Sequence, residues 1–419
     1  MAPLLKNREP AGASTVGSSP EHDSSGGRRL LSRLSTSARY AAPALLGYVA
    51  VRAIGLAVLM LWEGQHGMSS LNRLSTLWDA SWYQNIAQHG YAGTAPRPGP
   101  FGLYQPYAFF PVYPMLIRVV WWVGPLAVNY AALLVAWISA LAAAWGVFAV
   151  GERLYNRRTG VIAAVLWGVT PYAVVESMAY SELAFSALAV WAMYAALTRR
   201  WVWAGVLASL AGLTRPTGVA VAAAIGIGGV AALAVQWWQD RRGVLPEEER
   251  LAWWRPLLGA AIAPLGFVGF IAWVGWQKGS PNAYFKIQEA WQSKFDFGHS
   301  TLHSFRVMLT VPGAVWMTDV VVAATITVSV LLFVISVLQR QPLTLLVYSG
   351  MILLLALGDA AYFNSRARFL IPAFALLFPL AGNLARARTR GLVPTVLVTA
   401  ALCSAAYGGY VVFVYTNSP

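Results

Sequence analysis

The sequence predicts an all-α, polytopic membrane protein. Three observations carry that expectation. Apolar runs long enough to enter a bilayer recur along almost the whole chain. Only 11% of the residues are charged while 58% are hydrophobic, whereas a soluble domain carries about 25% charged residues. The chain also holds 19 tryptophans, the residue that gathers where helices cross the membrane–water boundary.

Taken in order, residues 1–40 read as a disordered, basic cytoplasmic tail. The stretch GASTVGSSPEHDSSGG has almost nothing to bury. The segment RRLLSRLSTSAR that follows suits an anionic cytoplasmic leaflet. The apolar run after it is too long for a cleaved signal. Residues 41–419 then form the membrane domain. Crossing the hydrocarbon core takes about 20 mainly apolar residues. Runs of that kind fall near 41–62, 127–150, 160–175, 181–198, 202–214, 217–238, 256–277, 314–338, 343–358, 368–384 and 392–415, which predicts about eleven spans. Two long connections remain, 63–126 and 278–313.

Orientation follows from the basic clusters, because Lys and Arg hold loops on the cytoplasmic side. With the N-terminal tail inside, Arg153, Arg157, Arg158, Arg199, Arg200, Arg241, Arg242, Arg250, Arg255, Arg340, Arg386, Arg388 and Arg390 all fall inside as well. The scheme requires that 109–124 not cross. Pro111, Pro114 and Arg118 interrupt that stretch, so it is expected to lie as a helix at the outer interface. Both long connections then face outward.

The net charge of +14 is accounted for by these loop clusters. It does not point to nucleic acid, because no soluble basic module carries it. The single cysteine, Cys403, excludes an internal disulfide and a multi-thiolate metal site. The histidines form no HExxH and no compact metal set. His299 and His303, four residues apart in the second outer connection, read as a solvated pair. There is no Asp-x-Asp clamp for a nucleotide sugar and no phosphate-binding loop. No cofactor and no metal-ligating residues are expected, and the metal requirement is left open. No clear internal repeat supports a transporter built from repeated halves.

The first outer connection contains STLWDASWYQNIAQHGY at 75–91. Helical spacing puts Trp78, Trp82 and Ile86 on one face, with Asp79 beside it and Tyr83 a turn further on. This predicts an amphipathic helix on the membrane with a carboxylate at its start. Asp79 either complements the helix macrodipole or serves as a base for a substrate hydroxyl.

WDASWYQNIAQHGY, followed by AFFPVYPMLIRVV at 108–120, closely resembles the PIG-V-like mannosyltransferases. These are relatives of the second mannosyltransferase of glycosylphosphatidylinositol assembly and have GT-C architecture. TPYAVVESMAYSE at 170–182, AGLTRPTG at 211–218 and SRARFLIPAF at 365–374 match in place and character. The resemblance covers nearly the whole chain after residue 40. It implies that Asp79 is the essential loop aspartate. It also implies that the donor is polyprenyl-phosphate mannose, a substrate rather than a cofactor. The acceptor is left open among a glycolipid, a glycan and a protein hydroxyl.

Moving a sugar from a lipid phosphate to a hydroxyl needs a carboxylate for the hydroxyl and cations for the departing phosphate. Arg215, before Pro216 at the outer end of a helix where the positive-inside rule does not want a cation, is one candidate. Arg366 and Arg368, beside Phe369, are others, since a guanidinium pairs with phosphate through two hydrogen bonds; snorkelling at a helix end is the alternative for both. Glu182 either orients a sugar hydroxyl or pairs with an arginine. Glu176 lies at the same junction. Trp78, Trp82, Tyr83, His89 and Tyr113 complete the expected substrate-facing set. Arg52, mid-span in the first helix, requires a partner, and Asp359 is expected to cap or pair locally. Two function classes follow: an inverting membrane glycosyltransferase with Asp79 as base, and a multi-pass transporter or flippase for lipid or sugar. A membrane scaffold is a third, and it would tolerate loss of Asp79.

Overall fold

The structure is a computed structural model. It describes residues 24–419 except 245, 247–249, 312, 314, 416 and 419, with side chains from residue 36. Residues 1–42 and 43–419 form separate units. In the first, 1–23 of the expected disordered tail lie outside the described residues, and 24–42 are helical.

The second unit begins within α1 (Ser24–His66) and is mostly helical. The first long connection holds α2 (Ser70–Thr76), α3 (Asp79–Gly93), a short hairpin of β1 (Arg97–Gly99) and β2 (Gly102–Tyr104), and α4 (Val112–Val123). Next come α5 (Val128–Leu154), α6 (Arg157–Trp167), a 3-10 turn at Ala173–Ser177, α7 (Glu182–Leu197), α8 (Trp201–Gly212) and α9 (Gly218–Arg241). After these, α10 (Trp254–Ile262) and α11 (Leu265–Lys278) lead to the second connection, with α12 (Ala283–Glu289) and α13 (His299–Thr310). The chain ends with α14 (Met317–Leu338), α15 (Leu343–Gly358), α16 (Arg366–Phe369), α17 (Phe378–Arg386) and α18 (Leu392–Gly409).

Among the described residues, six helices or joined pairs are long and apolar enough to cross a membrane, the first being Thr36–His66. The remaining predicted spans are shorter helices or broken ones. The run 368–384 is not one helix. Its two pieces, Phe363–Phe369 and Phe374–Arg386, are bent by 77°. Pro372 lies in the break, where it has no N–H for an intrahelical bond. The run 160–175 likewise stops at Trp167, ahead of Pro171.

Small residues let these helices approach closely, as is usual for membrane bundles. A Cβ on Gly205 of α8 would fall 2.4 Å from the carbonyl oxygen of Gly259 on α10. Arg52 finds its partners here: it donates to the carbonyl of Gly168 at 3.1 Å and to Ser177 Oγ at 2.7 Å.

The first connection differs from expectation in two ways. The hairpin was hidden by its Pro and Gly residues, which read as loop. The apolar face of α3 is also not left to the membrane, since Trp82, Tyr83 and Ile86 are buried in protein, with α4 and α5 against the helix. At 12 residues, α4 is about 18 Å long, too short to cross. Its outer face is apolar (Met115, Leu116, Val119, Trp122, Val123). Arg118 is the exception in this helix. It donates to the carbonyls of Ala87 and Ile86 and so caps the regular part of α3 just before Gly90, whose φ of 71° turns the chain.

Candidate functional site

Asp79 opens α3. The residue before it, Trp78, has φ 49° and ψ −115°, a backbone conformation costing about 1–3 kcal/mol for a side chain of this kind. The strain is held in place by packing on both sides. Asn129 on α5 donates to Ser75 Oγ, and Ala179 N donates to the Leu74 carbonyl. The same packing brings the 176–182 tract alongside α3.

Four charged side chains meet there. Arg368 Nη1 donates to Asp79 Oδ2 at 3.0 Å, and its Nε lies 3.2 Å from Glu182 Oε1. Arg215 Nη1 lies 2.8 Å from Glu182 Oε2. Glu182 therefore stands between two guanidiniums, and the order is Asp79–Arg368–Glu182–Arg215. Two carboxylates and two guanidiniums sum to no formal charge, which is the condition for holding such groups out of water. The Glu182 contacts are ion pairs by distance, without the alignment of hydrogen bonds. Access is graded: the side chain of Glu182 is 1% exposed, Arg368 7%, Arg215 11% and Asp79 18%. Asp79 is thus the member open to a ligand.

Each cation arrives by a specific local device. Arg215 sits in the turn between α8 and α9, which is so tight that a Cβ on Gly218 would lie 2.4 Å from Gly212 Cα. Arg368 is delivered by α16, just before the 77° break. Arg215 and Arg368 both lie near the face of Phe369, at 5.8 and 5.1 Å from its centroid. Arg368 also lies 5.2 Å from the Tyr180 ring, a favourable placement for a desolvated cation.

The hydroxyls extend the cluster. Ser181 occupies the N-cap position of α7 but makes no capping bond. Its Oγ accepts from Arg215 Nη1 at 2.9 Å and meets the Tyr83 hydroxyl at 2.7 Å. Burial holds the Tyr83 phenol well above its ordinary range, so it is a neutral hydroxyl. Tyr113 packs edge-on against Tyr83 with centroids 4.9 Å apart, and its own hydroxyl is spent on the Ala132 carbonyl. Tyr113 therefore supports Tyr83 from behind. Trp82 stacks on Phe109 and lies beneath Arg97, whose guanidinium is 4.3 Å from the ring and donates to Ser81 Oγ. Trp291 from the second connection stacks on Tyr104 at 3.9 Å and meets Trp82 edge-on. The two long connections are joined by this aromatic group next to the start of α3.

The structure separates two expected residues from the cluster. Arg366 is buried but turns to the Asp359 carbonyl; positions two apart on a helix point to opposite sides, so only Arg368 can face Asp79. His89 is exposed, ten positions along α3 from Asp79, or about 15 Å at 1.5 Å per residue. Ser181 and Arg97 were missed. A Ser-Glu pair at a helix start reads as a cap, and an Arg in a Pro/Gly-rich segment carries no signal.

Residues 106–245 match the dolichyl-phosphate-mannose-protein mannosyltransferase family. That stretch contains Tyr113, Ser181, Glu182 and Arg215 and leaves Asp79 and Arg368 outside. No curated protein matches the chain in sequence. Among solved structures, ArnT from Cupriavidus metallidurans, bound to undecaprenyl phosphate, is similar with a TM-score of 0.51 and 15% identity. The match covers 84% of this chain and 62% of that one. An Archaeoglobus fulgidus oligosaccharyltransferase tethered to an acceptor peptide gives a TM-score of 0.49 at 15% identity, covering 90% of this chain and 56% of that one. The chain thus spans less than two thirds of either protein. At this identity the likeness to ArnT establishes the fold alone, a helical membrane architecture as the sequence predicts, and of the GT-C type that the resemblance implies.

Proposed function

We propose that the chain is a membrane glycosyltransferase that moves a sugar from a polyprenyl-phosphate donor to an acceptor hydroxyl in one inverting displacement. The observation that carries this is the charge-balanced cluster, in which the most open member is a carboxylate and the next two are guanidiniums. The acceptor oxygen attacks the anomeric carbon and gives its proton to Asp79. The bond from that carbon to the phosphate oxygen breaks, and its electron pair leaves with the polyprenyl phosphate. Arg368 and Arg215 neutralise the charge that grows on the phosphate, with Glu182 fixing their separation. Tyr83 and Ser181, both buried, hold Arg215 from behind through the Ser181 hydroxyl, and Trp78, Trp82 and Tyr113 hold α3 in register. Arg366 and His89 have no part in this scheme.

Mannose is the proposed sugar, on the family match and on the PIG-V-like motifs. The acceptor is a glycolipid, a glycan or a protein hydroxyl. The bound undecaprenyl phosphate of ArnT supports a polyprenyl-phosphate donor. Membranes containing the chain should convert labelled polyprenyl-phosphate mannose to polyprenyl phosphate and a mannosylated acceptor. If no polyprenyl-phosphate sugar is consumed beyond the level of membranes lacking the chain, the proposal falls.

On the positive-inside reading of the basic clusters, the proposed site lies outside the cytoplasm with the N-terminus inside. On a background with Cys403 replaced, cysteines at the exposed positions Asn72 and Ala95 should react with an impermeant thiol reagent, and one at the exposed Thr389 should not. The opposite pattern reverses the topology.

A further inference from the structure

The cluster is electrically complete before any ligand arrives. Arg368, proposed above as a phosphate cation, already spends Nη1 on Asp79 at 3.0 Å. Its Nε is turned to the deeply buried Glu182. The Asp79 side of the guanidinium is also the more open one, with Asp79 18% exposed against 1% for Glu182. A phosphate entering from the open side therefore meets Arg368 where the aspartate sits.

We infer that Asp79 is the resident counter-ion of Arg368 and that a lipid phosphate displaces it, so that donor binding itself releases the carboxylate for the acceptor. This rests on the glycosyltransferase reading. The charge balance of the reaction supports the exchange. During transfer Asp79 gains a proton and loses its negative charge, while the phosphate gains one as the glycosidic bond breaks. Arg368 thus neutralises the aspartate at rest and the phosphate at the end, and the net charge around it does not change. Such a handover favours the transition state, because the cation's interaction grows on the group where charge develops. It also makes the order of binding donor first. In the empty site the base is engaged and activates neither water nor an acceptor.

The consequence runs against the usual effect of losing a catalytic group. If Asp79 competes with phosphate for Arg368, then Asp79→Asn slows transfer but tightens binding of the lipid phosphate. The probe is polyprenyl phosphate alone, titrated into the purified full chain in detergent. Removing one like charge within a few ångströms of a partly buried anion is expected to tighten binding about tenfold. Arg368→Gln should weaken binding at least as much. Asp319→Asn, a carboxylate held by Trp316 N at the start of α14, should change nothing, which excludes a general charge effect. If wild type binds polyprenyl phosphate and Asp79→Asn binds equally or more weakly, the exchange is refuted and the glycosyltransferase reading stands. If neither binds, both fall. Each variant is compared only as monodisperse protein, and Asp79→Asn preserves side-chain size.

Discussion

Glu176 and Glu182 come from the same tract, are both buried to 1% exposure, and are held in opposite ways. Glu182 lies between two guanidiniums, at 2.8 and 3.2 Å. Glu176 accepts one hydrogen bond from the Tyr48 phenol at 2.9 Å, while its second oxygen has no hydrogen-bond partner among the described residues. Arg52 is the nearby cation, and it spends its donors on Gly168 O and Ser177 Oγ instead. One glutamate organises charge next to an opening. The other ties the tract to α1 within the bundle. The difference teaches that a buried carboxylate in a membrane protein is not by itself a sign of chemistry. The number of cations it gathers, and whether one of them also reaches an accessible acid, separates a working group from an anchor.

The contrast can be broken most severely at Asp79. Asp79→Asn should lower turnover per mole of monodisperse protein by about 10²–10⁴-fold, the usual worth of a general base, and should also lower yield, because it leaves the buried Arg368 one carboxylate short. Near-normal turnover would remove Asp79 from the chemistry. Glu182→Gln comes next. It leaves two guanidiniums facing each other over a neutral amide, and breaking a buried pair costs about 3–5 kcal/mol, so yield should fall and transfer by the surviving protein should drop at least about tenfold. Arg215→Lys keeps the charge but loses the fork, and should raise the KM for the donor severalfold, with Arg215→Ala raising it further; normal kinetics in both would make Arg215 structural. The smallest effect is expected at Glu176. Glu176→Gln retains an oxygen for the Tyr48 hydroxyl, so turnover should stay within about twofold. A loss as large as that of Glu182→Gln would erase the distinction between the two residues.

The helical membrane fold was legible because the bilayer imposes length and apolarity on every span. Arg215 and Glu182 were legible for a related reason: a charge where lipid or the positive-inside rule disfavours one calls for an explanation. Asp79 was legible from the aromatic helix face it opens and from the PIG-V-like resemblance. What joins them was not. Asp79 and Arg368 are 289 positions apart, and hydropathy carries no pairing information across such a distance. Nor could composition separate Arg366 from Arg368. Only the helical phase of α16 and the bend after it decide which one turns to the cluster. Ser181 was hidden because a serine at a helix start is common and carries no sign of a distant partner. The hairpin and the Tyr104–Trp291 stack were hidden because their contacts depend on how two separate long connections fold against each other.

The separation of Asp79 from Arg368 also has a consequence for biogenesis. A membrane chain emerges and is inserted from its N-terminus. Asp79 arrives early, with α3, and Arg368 arrives on the broken span that precedes α18. For most of synthesis the aspartate has no cation, and Glu182 has only Arg215. The ion pair is then made near the end, when the bent segment docks against elements already in place. A chain stopped anywhere from residue 126 to residue 367 carries all of the first long connection and lacks Arg368, so each such copy displays a carboxylate that the finished one has paired.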